Sequence, residues 1–279
     1  WRLSSAMSGT VKIILGVVAA LVILGGGYLV YDAVLGETEA ASGPISAIPI
    51  EIDTPTVEAT MAAEDPYPAE ASNPDGGSLT AGTTSPYPVE TVEAQVSSTG
   101  DSSVFTILQE ESEVRFILGE ILRGQPKTVV GATDQVAGEL AVDFSDLTTI
   151  QLGQVLVNAR TLVTDSSQRD RAIRNQILST DAYEFISFTP TGITGLSGSA
   201  AVGDTFTFQV AGDLTIRDVT NPAVFEVTAT LVSEGRIEGT ASTVIARGDY
   251  GLTIPSVQSV AGVDEEVTLE IDFVAAVKA

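Results

Sequence analysis

Alternation of apolar and polar residues governs the chain from about residue 104 onward. In FTFQVAGDLTI the even positions Phe206, Phe208, Val210, Leu214 and Ile216 are apolar, and the odd positions Thr207, Gln209, Asp213 and Thr215 are polar. Successive side chains of a strand point to opposite faces, so this pattern predicts a half-buried strand. The C-terminal stretch repeats it, with Val267, Leu269, Ile271, Phe273 and Ala275 on one face and Thr268, Glu270 and Asp272 on the other. Further strands are predicted over 104–109, 113–121, 134–144, 150–163, 183–189, 222–232 and 235–247. Turn signals such as Gly131, Gly203-Asp204, Asn221-Pro222 and Glu234-Gly235 bound them. A single helical pattern, 164–179, interrupts the series. Many strands at close spacing, each with one polar face, predict an antiparallel sandwich or barrel.

The first hundred residues follow other rules. The run IILGVVAALVILGGGYLVY, 13–31, carries no charge; as a helix its length would be about 28 Å, close to a bilayer's hydrocarbon thickness. Arg2 and Lys12 precede it and Asp32, Glu37 and Glu39 follow. The positive-inside bias then predicts a single-pass anchor with its N-terminus in the cytoplasm and the rest of the chain outside. A cleaved signal peptide is the rival reading, although its apolar core is usually shorter, about 7–15 residues. Eight of the 12 prolines lie between residues 36 and 103, and no Lys or Arg occurs between Lys12 and Arg115. So polar and single-signed a stretch buries too little apolar surface to offset the entropy of ordering, which predicts a disordered, extended linker. The expected organisation is therefore an anchor at 1–35, a linker at 36–103 and a β-domain at 104–279.

Composition narrows the chemistry. Net charge is −24, with 13 Lys and Arg against 37 Asp and Glu, which argues against nucleic acid as a partner. Histidine and cysteine are absent. That removes Ser-His-Asp and Cys-His catalysis, disulfides, and the usual zinc, copper and haem ligands. No spacing singles out a pair of carboxylates for hydrolysis, and no Gly-rich phosphate loop precedes a helix. The reading is a non-enzymatic chain with no catalytic residue, metal or cofactor assigned.

Three ordered motifs give the β-domain a likeness. LVTDSSQRD (162–170), followed by Asp181 and YEFISF, resembles the L-x-T-D-x-x-x-R-D segment of the YceI-like family of lipid- or polyisoprenoid-binding proteins. VAGDLTIRDVTNPAVF (210–225) is similar to that family's G-x-L-T-I-x-G-V-T-x-P, and RGDYG (247–251) to its R-x-D-[FY]-G. The resemblance covers roughly 104–279. It implies an all-β, eight-stranded, lipocalin-like antiparallel barrel with one short helix, whose interior holds one lipid or isoprenoid chain. On that reading the cavity is lined by Phe206, Phe208, Val210, Leu214, Ile216, Val267, Leu269, Ile271 and Phe273. A barrel of eight strands is near the size at which the interior either fills with side chains or admits one small ligand. The same residues can therefore form a dry core, leaving a non-enzymatic interaction domain displayed on a stalk. Two positions depart from the family pattern: Ala172 and Arg217-Asp218 stand where histidines are common, so no role of those imidazoles carries over.

The helical stretch TDSSQRDRAIRN places Arg169, Arg171 and Arg174 within six residues. One reading is a helix capped by Asp165, Ser166 or Ser167 that closes a barrel end, with Arg169 and Asp170 bonded to nearby loops. The other has Arg169, with Arg160 or Arg174, meeting the phosphate or carboxylate head of a lipid through its planar fork. Arg247-Gly248-Asp249 spells an adhesion tripeptide but sits inside the third motif. Asp264-Glu265-Glu266 reads as an acidic hairpin turn or, less simply, a calcium-holding run.

Overall fold

The computed structural model describes residues 38–50, 102–256 and 260–278. The apolar run at 13–31 and most of the expected linker lie outside them. No helix among the described residues is long and apolar enough to cross a membrane.

Among the described residues, thirteen strands form one antiparallel sheet. They are β1 (Ser103–Ile107), β2 (Glu113–Leu122), β3 (Gln125–Thr133), β4 (Val136–Ala137), β5 (Glu139–Val142), β6 (Gln151–Leu152) and β7 (Val155–Asn158). After the helix come β8 (Phe185–Thr194), β9 (Thr205–Ile216), β10 (Val219–Ser233), β11 (Arg236–Ala246), β12 (Val260–Val263) and β13 (Glu266–Val277). Pairing runs from β7 through β8, β9, β10 and β11 to β13. From there β13 pairs β2, β2 pairs β3, and β3 continues across Asp134 and Gln135 into β4, which pairs β7. The pairings thus lead round a circuit, and the sheet coils into a barrel. Along its far end β13 exchanges β2 for β1, which brings in β5 and β6 as an added flap.

The two most regular expected strands are β9 and β13, and their alternation works as the sequence implies. Val210, Leu214 and Ile216 point inward and are buried, while the outer faces of β9 and β10 carry hydroxyl pairs such as Thr205 with Thr230 and Thr215 with Thr220, each 2.8 Å apart. Strand count exceeds the expected eight because several ladders are interrupted. β12 and β13 both pair β2 on the same side, with two extra residues between them. Asp264-Glu265 is therefore a bulge in one bent strand, not the hairpin turn expected from its acidity.

Three inward positions are glycines covered by rings. A Cβ on Gly212 would lie 2.5 Å from Cζ of Phe188, and one on Gly239 would lie 2.6 Å from Cζ of Phe273. Phe116 covers Gly131 in the same way. Phe188 also meets Phe225 edge-on, with centroids 4.9 Å apart. The glycines leave the depth that a flat ring needs, so aromatic area fills the barrel's waist. A second buried group, including Phe105, Val142, Leu147, Leu231 and Ile237, closes the end where β1 and β5 join.

Part of the expected linker is ordered against the barrel. Residues 38–50 run as a strap held by side chains of the domain. Glu184 accepts from the Ser42 amide (2.8 Å), Asp181 from the Glu39 amide (2.9 Å) and Glu139 from the Ile50 amide (3.1 Å). Arg160 donates to the Ala40 carbonyl, and Ile45 is buried. Three of the strap's backbone amides are held by domain carboxylates, contacts that need no apolar periodicity.

Candidate functional site

The helical segment sits across the end opposite the filled one. Helix α1 (Ser167–Ala172) is capped by Ser166, whose hydroxyl accepts from the Arg169 amide at 3.5 Å. Asp170 turns back to accept from the Thr164 amide (2.8 Å) and hydroxyl (2.6 Å). A single π-turn, Ile173–Ile177, follows, closed by the Leu178 amide on the Ile173 carbonyl. The wider turn directs Ile173, Ile177 and Leu178 at the barrel mouth.

Beneath this cover lies a cavity of about 450 Å³. Its walls are aliphatic: Leu118 from β2, Val129 from β3, Ile216 from β9, Ile245 from β11, and Val267 and Leu269 from β13. The helix contributes Ala172, Ile173 and Ile177, and the segment after β11 contributes Leu252, Ile254 and Pro255. A volume of this size falls in the range of small-molecule sites. A second hollow, about 350 Å³, lies between β6 and the bulge of β8 and has no charged lining residue.

Charged side chains collect on one part of the cavity. Glu120 follows Phe116 and Leu118 on the inward face of β2 and is only 7% exposed. Its Oε1 lies 2.6 Å from Nη2 of Arg169. The other arm of Arg169 binds Asp165, which also binds Lys127. Lys127 and Arg169 together hold the Asp165 carboxyl below the usual carboxylate range. Arg123 also lines the cavity, from the tip of the β2–β3 hairpin.

The nine residues expected to line a cavity divide between hollow and core. Ile216, Val267 and Leu269 line it. Val210 and Leu214 lie in the main core cluster and Phe208 packs against it, none of them lining the hollow; Phe206 packs against the cluster at the filled end, and Phe273 touches both clusters. Ile271 is half-buried, in register with Ala241 and Val114, and does not line the hollow. All nine share the inward face, but depth along the barrel axis separates lining from core. Of the polar candidates only Arg169 reaches the cavity. Arg160 instead ties down Thr180, Asp181 and the strap, and Arg174 donates to the Leu162 carbonyl at 3.4 Å. Asp170 serves the loop before the helix.

Arg247 is likewise occupied by structure. Nε donates to the Asp264 carbonyl, Nη1 to the Leu252 carbonyl, and Nη2 pairs with Glu265 at 3.0 Å. The tripeptide it begins is a 3-10 turn with Tyr250 buried beneath it. Among the described residues no group of carboxylates is arranged to hold a metal ion.

Glu120, Arg123 and Lys127 were not singled out by pattern, although a signal exists. Glu120 falls in the apolar phase Val114, Phe116, Leu118, Leu122, so a charge at that position faces inward.

Residues 105–275 match the family profile described as the YceI-like domain. No curated protein matches the sequence. Among solved structures, a polyisoprenoid-binding domain from Saccharophagus degradans, implicated in plant cell wall breakdown, is similar at 15% identity. Its TM-score is 0.49, over 62% of this chain and 98% of that one. BcnA of Burkholderia cenocepacia is similar at 16% identity and TM-score 0.48, over 61% and 99%. A YceI protein of Campylobacter jejuni is similar at 18% identity and TM-score 0.44, over 53% and 85%.

Proposed function

The chain belongs to the YceI-like family, and on that premise we propose that its barrel is a non-catalytic carrier for the aliphatic or isoprenoid chain of an amphiphile. The carrier is held outside the cytoplasm by the apolar run at 13–31, which joins the docked strap through residues 32–37. The observation supporting this reading is the aliphatic cavity of about 450 Å³ at one end of the barrel. At roughly 30 Å³ for each water-sized group, that space takes about 15 methylenes, or three isoprene units. Burying them would contribute on the order of 12 kcal/mol before the cost of association. Dry packing, the alternative for the whole interior, describes the waist and the far end, where rings sit on glycines.

Uptake by the full-length chain tests the reading. Organic extraction and mass spectrometry of the washed protein should recover a bound amphiphile, or offered farnesol and pentadecanol should bind. Ala172→Phe, which projects a ring into the hollow, should reduce that uptake. A protein that is always empty and takes up neither alcohol rules out the carrier. Placement is tested separately. The chain should resist carbonate extraction from membranes and be open to protease only from the non-cytoplasmic side; release by carbonate would refute the anchor.

A further inference from the structure

We propose that the cavity selects amphiphiles with an anionic oxyanion head, carboxylate or phosphate, and that Arg123 is the residue that meets it. This rests on the carrier reading above. The chain carries 13 basic residues against 37 acidic ones, yet the cavity lining reverses the balance. Arg123, Lys127, Arg169 and Arg247 line it with only Glu120 and Asp165. In so acidic a protein, this is a local excess of basic over acidic side chains, four against two.

Three of the four cations are already engaged. Arg169 is shared by Glu120 and Asp165, Lys127 pairs with Asp165, and Arg247 is bound to two carbonyls and Glu265. Arg123 makes no hydrogen bond or ion pair among the described residues and its side chain is exposed at the cavity. Its backbone adds a second, independent observation. Arg123 (φ 51°) and Gly124 (φ 78°) form a two-residue turn closed by the Leu122–Gln125 pair, with both residues in the left-handed region. Asn or Gly suits the first position of such a turn far better than a long side chain does. The turn therefore does not account for an arginine there. A guanidinium at the edge of an apolar hollow does have a task, because its planar fork binds carboxylate or phosphate oxygens in pairs. The alkyl chain lies along Leu118, Ile216 and Val267, and the head emerges at the hairpin tip.

The test compares ligands of equal chain and different head on the full-length protein, by calorimetry below their aggregation concentrations. Farnesyl phosphate is set against farnesol, and pentadecanoate against pentadecanol. Each anion should bind at least about tenfold more tightly than its alcohol, as expected for a charged hydrogen-bonded contact. Arg123→Gly, which fits the turn and so keeps the fold, should reduce that ratio to less than about twofold, and Arg123→Lys should leave an intermediate ratio, because a point charge lacks the fork. Arg236→Gln, which removes an equal charge from the opposite end, should leave the ratio intact. A preference for phosphate alone, or for carboxylate alone, identifies which head the site was built for. Alcohols that bind as tightly as acids, or a ratio unmoved by Arg123→Gly, overturn the inference while leaving the carrier standing. If none of the four ligands binds and organic extraction recovers no amphiphile, the carrier and this inference fall together; an extracted amphiphile with a neutral head overturns this inference alone.

Discussion

Replacing Arg169 by Met keeps an unbranched stem and removes the guanidinium, which isolates the contact with Glu120. The carboxylate is then left 7% exposed on the wall of an apolar cavity with its cation gone. Breaking a buried ion pair from one side costs about 3–5 kcal/mol. Arg169 keeps 18% exposure of its own side chain, and the adjoining hollow can admit water to the stranded carboxylate. The expectation is therefore somewhat below that range, about 2–3 kcal/mol. Loss of the Arg169–Asp165 contact adds little, since Asp165 is solvent-facing. For a domain of this size each kcal/mol shifts Tm by about 2–4 °C, which gives a fall of about 4–12 °C. The double variant Glu120→Met with Arg169→Met should recover most of the loss, because removing both charges leaves nothing buried unpaired. Urea unfolding followed by circular dichroism, on wild type, both single variants and the double, yields the coupling directly. If Arg169→Met costs less than about 0.5 kcal/mol, or the double simply sums the singles, the pair is not the buried contact described.

Acid should loosen the strap. Burial pushes the Glu184 carboxyl up, but the Ser42 amide and side chain, Asn158 and Arg160 together hold it below its ordinary value; burial likewise opposes Lys278 and the Ile50 amide at Glu139, with the same net direction. Both groups are depressed in the folded chain, so this anchorage is complete above the ordinary glutamate value and is lost as pH drops through the lowered ones. Amide resonances of Ser42 and Ile50 should move together over that acid range, and resonances that stay fixed would refute the assignment. Gly212→Ala should destabilise by about 1–3 kcal/mol through the clash with Phe188 and the Thr189 carbonyl; an unchanged urea midpoint would show that the ring can yield. Ala172→Phe should lower ligand uptake while leaving the fold's stability within about 1 kcal/mol, because it projects into space already empty. A large loss of stability would mean that the hollow collapses around native side chains.

How much of this was legible depended on which residues occupied the inward positions. β9 and β13 were plain because apolar residues alternate with Thr, Asp and Glu along their length. β3 was missed for the opposite reason. Its inward positions are Lys127, Val129, Gly131 and Thr133, which include a single large apolar residue. Lys127 belongs to the ion cluster and Gly131 makes room for Phe116, so ion pairing and packing erased the alternation that would have revealed the strand. Cavity and core could not be separated by pattern at all. Leu214 and Ile216 are two residues apart on one face of one strand, yet Ile216 lines the hollow and Leu214 is outside its lining. The strap escaped notice because amide-to-carboxylate contacts leave no mark on hydropathy.

The ring-on-glycine waist makes the hollow a blind sleeve. Phe188 on Gly212 and Phe273 on Gly239 stand as a stopper halfway along, so nothing threads from one end of the barrel to the other. On the carrier proposal a guest would leave by the door it entered, tail innermost, with any length beyond the sleeve outside. Cargo with a longer tail would arrive with its surplus still seated in another greasy environment, so handover would proceed end-on.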